Sequence, residues 1–183
     1  MINLLYYLRM YFSLVAWKKR LVTQSFESIY DVNFDLLKKR GIKAIVFDVD
    51  DTLRGHLDSV PKRTIILLQS LYKKGFKIAF FSNMSLRQKE EISKEFGKLP
   101  VLLSGNNNKP NPKWFFDFFK KNNLAAKEVV VLGDKVGTDI FAAYLAGVEE
   151  RILVEPYSEV FGALKASANL RFIRWFEKAL FFK

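Results

Sequence analysis

Between Gly41 and Val154 short, continuously apolar runs alternate with amphipathic stretches, and few folds accept that pattern. The runs are "KAIVF", "FKIAFF", "PVLLS", "EVVVL" and "RILV". A strand that is apolar at every position needs cover on both faces, as in a parallel sheet whose crossover helices lie above and below it. The intervening segments supply those helices. "PKRTIILLQSLYKK" carries Pro61 in its first turn and Gly75 just past its end, and "SLRQKEEISKEF" opens on a Ser85/Gln88 capping box and closes near Gly97. "NPKWFFDFFKKNN" starts from Asn111 as cap, with Phe115, Phe116, Phe118 and Phe119 mainly as core contacts, and "TDIFAAYLAG" ends at Gly147. The expected architecture is therefore α/β, a three-layer Rossmann-like core with a mainly parallel five-stranded sheet and helices on both faces. A chain of 183 residues, half of them hydrophobic, can bury one such core and leaves little room for another. With no cysteine, neither a disulfide framework nor a thiolate metal site is available.

In sheets of this kind reactive groups gather at the carboxyl ends of the strands. The first strand runs into "DVDDTL", where Asp48 and Asp50, two apart on a nearly extended chain, lean to the same side. Their mutual repulsion is relieved by a cation or by a retained proton. A hard cation such as Mg²⁺ takes carboxylate oxygens and keeps positions open for a phosphate, while a protonated carboxyl is a general acid. The second strand ends in Ser82 and Asn83, which can donate to a phosphoryl oxygen. Lys109 follows the third strand in the turn-rich "GNNNKPNP", and "LGDKVGTD" places Asp134 at the end of the fourth with Asp139 further along. Arg54 directly follows the first motif and is a candidate for a second substrate phosphate. His56 is read as an exposed loop residue, and Lys73, Lys74 and Lys77 as a solvated rim.

These four strand ends resemble the four motifs of the haloacid-dehalogenase-like hydrolases, over about Gly41 to Val154. The resemblance implies Asp48 as the nucleophile toward phosphorus and Asp50 as the acid that protonates the leaving alcohol and later activates water. It implies Ser82, with Asn83, as the phosphate-binding group and Lys109 as the cation that neutralises Asp48 and the phosphoryl charge. Mg²⁺ is implied as cofactor, held by Asp48, the backbone carbonyl of Asp50 and Asp134, with Asp139 as a further or indirect ligand. An acid at Asp50 points to a phosphatase or phosphomutase within the superfamily. The gaps from Asp48 to Ser82 and from Ser82 to Lys109 are each filled by one helix and one strand, so no cap domain is expected. "LLKKRGIKAIVFDVDDTL", "KPNPKWFFDFF" and "GDKVGTD" are similar to the branch of phosphatidylglycerophosphate phosphatases. Asp51 stands where that branch usually has Asn, Met84 where a second Asn is common, and Lys135 where Gln is usual. The last two departures bear on substrate identity more than on reaction type.

The segments outside the core carry most of the remaining signal. Residues 1–40 are read as an apolar and basic helical segment, 41–156 as the catalytic core and 157–183 as an amphipathic helix rich in basic and aromatic residues. "MINLLYYLRMYFSLVAW" is too short and too interrupted to span a bilayer, and the charge that follows it argues against a secretory signal. Both ends suit interfacial helices, with packing on the core as the alternative. The formal charge of +11 favours phosphate-bearing partners. A capless site open to solvent suits a phosphate carried on something large. Together these features lead to the expectation of a peripheral enzyme on the cytoplasmic side of an anionic membrane, or on the matrix face if organellar. The resemblance to the phosphatidylglycerophosphate phosphatases implies the reaction, removal of phosphate from phosphatidylglycerophosphate, and no nucleic acid partner is expected. The alternative is the same chemistry on a nucleic-acid end, a phosphoprotein or a small phosphorylated metabolite.

Overall fold

The computed structural model describes Arg9, Phe12, Ser13 and residues 20–157 except 56–57, 84–85, 97–98, 100 and 104–108. The readings of Ser85, Gly97 and His56, of the C-terminal helix beyond Tyr157 and, but for Arg9, Phe12, Ser13 and Arg20, of the first twenty residues as an interfacial helix fall on residues outside this set. Among the described residues no helix is long and apolar enough to cross a membrane.

Six parallel strands form one sheet. They are β1 (Gln24–Phe26), β2 (Ala44–Phe47), β3 (Lys77–Phe80), β4 (Val101–Leu103), β5 (Val129–Gly133) and β6 (Glu150–Val154), in the order β1-β6-β5-β2-β3-β4. Among the described residues from 20 on, the α-helices are α1 (Phe34–Lys39), α2 (Lys62–Lys73), α3 (Leu86–Glu95), α4 (Lys113–Asn122) and α5 (Phe141–Leu145). The parallel α/β architecture is as the sequence implies, with one strand more than the five expected. That strand, β1, is the edge strand "QSF", which pairs Gln24 with Ile152 and Phe26 with Val154.

Its docking explains why residues 21–40 belong to the same body as the strands that follow. The buried guanidinium of Arg151 donates from Nε to the Leu21 carbonyl at 2.5 Å and from a terminal nitrogen to the Arg20 carbonyl at 3.0 Å. It also donates to the carbonyls of Val148 and Glu149. A buried charge is tolerated only when its donors are met, and four backbone carbonyls meet these. Of the segment 1–40 expected to be helical, residues 20–40 instead hold a strand, a short 3₁₀ turn at Ile29–Asp31 and α1, with Ile29, Phe34 and Leu37 in the core.

Side-chain alternation along β2 divides the core into two layers. Ile45 and Phe47 face Phe34 and Leu37 of α1, Leu68 and Leu71 of α2, and Ile92 of α3. Ala44 and Val46 face Trp114, Phe115 and Phe118 of α4 and the small side chains Ala142, Ala143 and Ala146. Full burial of an aliphatic or aromatic side chain contributes about 1.5–3 kcal/mol, so the sheet with its two layers carries most of the stabilisation. Phe116 is the one of the four α4 phenylalanines that turns to solvent, at 51% exposure.

The helix ends follow their sequence signals closely. Gly75 and Gly147 adopt φ of +83° and +78° just past α2 and α5, where any residue with a Cβ is strained. Asn111 accepts from the Lys113 N–H at 2.9 Å, while Pro112 occupies the capping position itself. The last crossover differs. It starts with a π-helical turn at Val136–Ile140 before becoming α5, earlier than the "TDIFAAYLAG" reading places it.

Candidate active site

The order of the strands decides where a site can lie. From β2 the chain moves to β3 and β4 on one side, then returns to β5 and β6 on the other, so the crevice between β2 and β5 is the topological switch point. Register places Phe47 opposite both Phe80 and Leu132, and Asp48, Ser82 and Asp134 all follow these residues at the carboxyl ends. A cavity of about 360 Å³ opens there, lined by Asp48, Asp50, Asp51, Ser82, Asn83, Lys109, Lys135, Thr138 and Asp139. A larger hollow of about 570 Å³ lies at the opposite end of the sheet, against Tyr72, Phe76 and Lys77, and has no carboxylate in its wall.

Asp48 is anchored by the main chain, its N–H donating to the Leu132 carbonyl at 2.9 Å. One carboxylate oxygen accepts from the Lys109 ammonium and the other from the Thr52 hydroxyl at 3.4 Å. Thr52 lies in the quoted motif but carries no charge to mark it, and only the fold reveals its contact. Burial pushes the Asp48 carboxyl up to about 6, against the pull of Lys109 and with a further push from Asp139.

Lys109 stands between two carboxylates, donating to Asp48 and also to Asp139. Burial works against its charge, but Asp139 and Asp48 together raise the ammonium above its ordinary value, so it stays a cation. Its approach is set by Asn83, whose side-chain oxygen accepts from the Lys109 backbone N–H at 2.8 Å. Asn83 therefore positions the lysine loop, in addition to lining the cavity where a phosphate contact was expected of it.

Asp139 projects from the π-helical turn. Its second oxygen accepts from the Lys135 N–H at 2.9 Å, so both of its oxygens are engaged. The turn packs so closely on β5 that a Cβ at Gly133 would lie 2.4 Å from the Cβ of Asp139, which explains a glycine at that strand end.

Asp134 is buried beside them. Oxygens of Asp48, Asp134 and Asp139 lie within 4.8 Å of one another. Burial first, and then Asp139 and Asp48, push the Asp134 carboxyl up to about 8. Carboxylates crowded and desolvated in this way fit a hard divalent cation such as Mg²⁺. All three carboxylates converge there, Asp139 through oxygens that also meet Lys109 and the Lys135 N–H.

Asp50 and Arg54 form a tight local unit. Asp51 takes a left-handed φ of +67°, its N–H donates to the Arg54 carbonyl at 2.8 Å, and the chain doubles back. Arg54 then donates from Nε to Asp50 Oδ1 at 2.8 Å and to the Asp58 carbonyl at 2.9 Å, with Glu95 at 3.9 Å. Arg54 is 6% exposed. The turn at Asp51 directs Arg54, the candidate for a second substrate phosphate, inward, where it holds the Asp50 side chain. The cation that does reach the cavity rim is Lys135, which donates to Asp134 at 2.8 Å and to Asp51 at 3.2 Å.

Known proteins are similar to this chain in sequence and in fold. The family model described as "Mitochondrial PGP phosphatase" matches residues 12–157. The "Probable phosphatase YqeG" of Bacillus subtilis strain 168 is 28% identical over 131 residues, 71% of this chain and 74% of that protein. Among solved structures, a protein of Listeria monocytogenes serotype 4b superposes with a TM-score of 0.52 at 18% identity, covering 68% of this chain and 88% of the other. The "predicted phosphoglycolate phosphatase" of Haemophilus somnus 129pt gives 0.50 at 18% identity, with coverage of 63% and 85%. At such identities the two structures speak for the fold alone. The family match runs from residue 12 to 157 and so takes in every strand of the sheet; the chain belongs to the mitochondrial PGP phosphatase family, within the haloacid-dehalogenase-like phosphatases.

Proposed function

We propose that the protein is a Mg²⁺-dependent phosphomonoesterase that removes the terminal phosphate of phosphatidylglycerophosphate at a membrane surface. The observation that carries the chemistry is the buried Lys109, shared by Asp48 and Asp139 at the switch point of the sheet. An oxygen of Asp48 attacks phosphorus, the bond to the alcohol oxygen breaks, and Asp50 gives that oxygen a proton, leaving an aspartyl phosphate on Asp48. Asp50 then takes a proton from water, whose oxygen attacks phosphorus and releases phosphate and free Asp48. Lys109 and Ser82 hold the phosphoryl oxygens through both steps. Asp48, Asp134 and the Asp50 carbonyl would hold a Mg²⁺, which would supply positive charge to the transferring phosphoryl group. Arg54 keeps Asp50 aimed at the leaving oxygen.

The choice of lipid rests on the family's description, on the basic and aromatic composition of the chain ends, and on a site with no cap domain over it. The test is phosphate release from phosphatidylglycerophosphate in mixed micelles, 5′-phosphorylated oligonucleotides, a phosphopeptide and soluble sugar phosphates, each with and without Mg²⁺. The lipid is expected to give the highest kcat/KM, and Asp48→Asn to abolish release. Faster turnover of any soluble phosphate than of the lipid overturns the lipid assignment, and release that persists in Asp48→Asn overturns the mechanism.

A further inference from the structure

Two lysines share the wall of the cavity, and they are held differently. Lys109 is 9% exposed and fixed between Asp48 and Asp139. Lys135 keeps half of its side chain in solvent, on the rim, with its ammonium between Asp51 and Asp134. One of those two partners, Asp134, is also a carboxylate available to a divalent cation. A cation held by Asp134 would draw charge from it, weaken its hold on Lys135 and leave the ammonium with Asp51 beside an open cavity. The Asp51 side chain is itself 26% exposed, so that pair is wet and exchangeable. A mobile, strongly hydrated ammonium on a long stem is suited to a phosphate-type anion placed loosely outside the reacting centre. The cavity, at about 360 Å³, is at the lower end of ordinary ligand pockets, so a group attached to the reacting phosphate passes close to its rim.

We propose that Lys135 is a specificity-determining residue that binds a second phosphate-type anion in the leaving group of the substrate. This rests on the phosphatase reading above and sharpens it, since it selects phosphomonoesters whose alcohol carries a further phosphate or phosphodiester. Lys109 serves the reacting phosphate and Lys135 the remote one. Arg54, the sequence candidate for that second role, is turned away into its contacts with Asp50 and Asp58.

The experiment compares glycerol 1-phosphate with glycerol 1,3-bisphosphate, which differ only in a second phosphate on the leaving group. The quantity read is the ratio of the two kcat/KM values in the parent, Lys135→Gln and Lys135→Arg. The parent should favour the bisphosphate. Lys135→Gln should lower the ratio about tenfold, mainly through the KM of the bisphosphate, and Lys135→Arg should keep it within about twofold. High salt should lower the parent ratio toward that of Lys135→Gln. A ratio unchanged in Lys135→Gln, or a parent without preference, overturns the inference while glycerol 1-phosphate hydrolysis still upholds the phosphatase reading. Hydrolysis of neither compound overturns both.

Discussion

The carboxylate of Asp139 receives the ammonium of Lys109 on one oxygen and the backbone N–H of Lys135 on the other. Thus one acidic side chain holds the buried Lys109 cation and closes the loop that follows Asp134. Asp139→Ala should destabilise the protein by about 3–5 kcal/mol in denaturant unfolding, because it leaves Lys109 buried with one partner fewer. Asp139→Asn keeps a polar contact and should fold, yet lose kcat about 10–100-fold as Lys109 shifts toward Asp48. Parent-like kcat in Asp139→Asn would show that Lys109 needs no such positioning.

Asp50 and its partner Arg54 offer a second test. Asp50→Asn retains the backbone carbonyl and the side-chain shape but cannot pass a proton. It should slow hydrolysis of an alkyl phosphate at least about tenfold more than that of an aryl phosphate, whose leaving group needs little protonation. Equal losses on the two substrates would remove Asp50 from the general-acid role.

Asp134 and Asp48 make metal-free stability depend on pH, with a definite sign. Both carboxyls are raised in the folded protein, from 3.8 to about 8 and about 6 respectively. The folded state therefore binds more protons than the unfolded state between these values, and stability falls as pH rises through the window. The melting temperature in chelator should drop from about pH 5 to about pH 8, and added Mg²⁺ should raise it more at the higher pH. In Asp134→Asn the pH slope should flatten. A metal-free protein that gains stability over this range would contradict the crowding of the two carboxyls.

Much of this arrangement is legible in the residues themselves, and the exceptions have physical causes. Asp48, Ser82 and Asp134 follow strand ends because "KAIVF", "FKIAFF" and "EVVVL" announce buried strands by continuous apolar character. β1 has no such mark. "QSF" holds one apolar residue in three, and its place comes from pairing with β6 and from the Arg151 contacts to residues just before it. The inward path of Arg54 is equally hidden, since it depends on the positive φ of Asp51, a residue type that tolerates that conformation without requiring it. The double engagement of Asp139 needs the π-helical turn, which no sequence period announces.

The ends of the chain bear on the lipid proposal. Deleting residues 1–19 leaves Arg20, whose carbonyl accepts from Arg151, and the buried Leu21 in place. The full chain should cosediment with phosphatidylglycerol vesicles, more weakly in high salt, because each basic residue near such a surface contributes about 1 kcal/mol. The deletion should lower activity on micellar lipid far more than on a soluble aryl phosphate. Equal loss on both, or full-length protein left in the supernatant at low salt, would count against membrane docking.

The edge strand also sets an order of events during synthesis. Thr23 and the Arg151 carbonyl that its hydroxyl meets are separated by 128 positions, so the earliest part of the sheet to leave the ribosome is among the last to find its partner. Until β6 emerges, Leu21 and Val22 have no strand to rest beside, and closing so long a loop is slow. A rearranged chain that carried residues 20–26 directly after β6 through a short linker would turn this most distant pairing into a local one. Parallel strands need a crossover, so the linker has to run back across one face, and it would gain folding speed with no new contact in the active site.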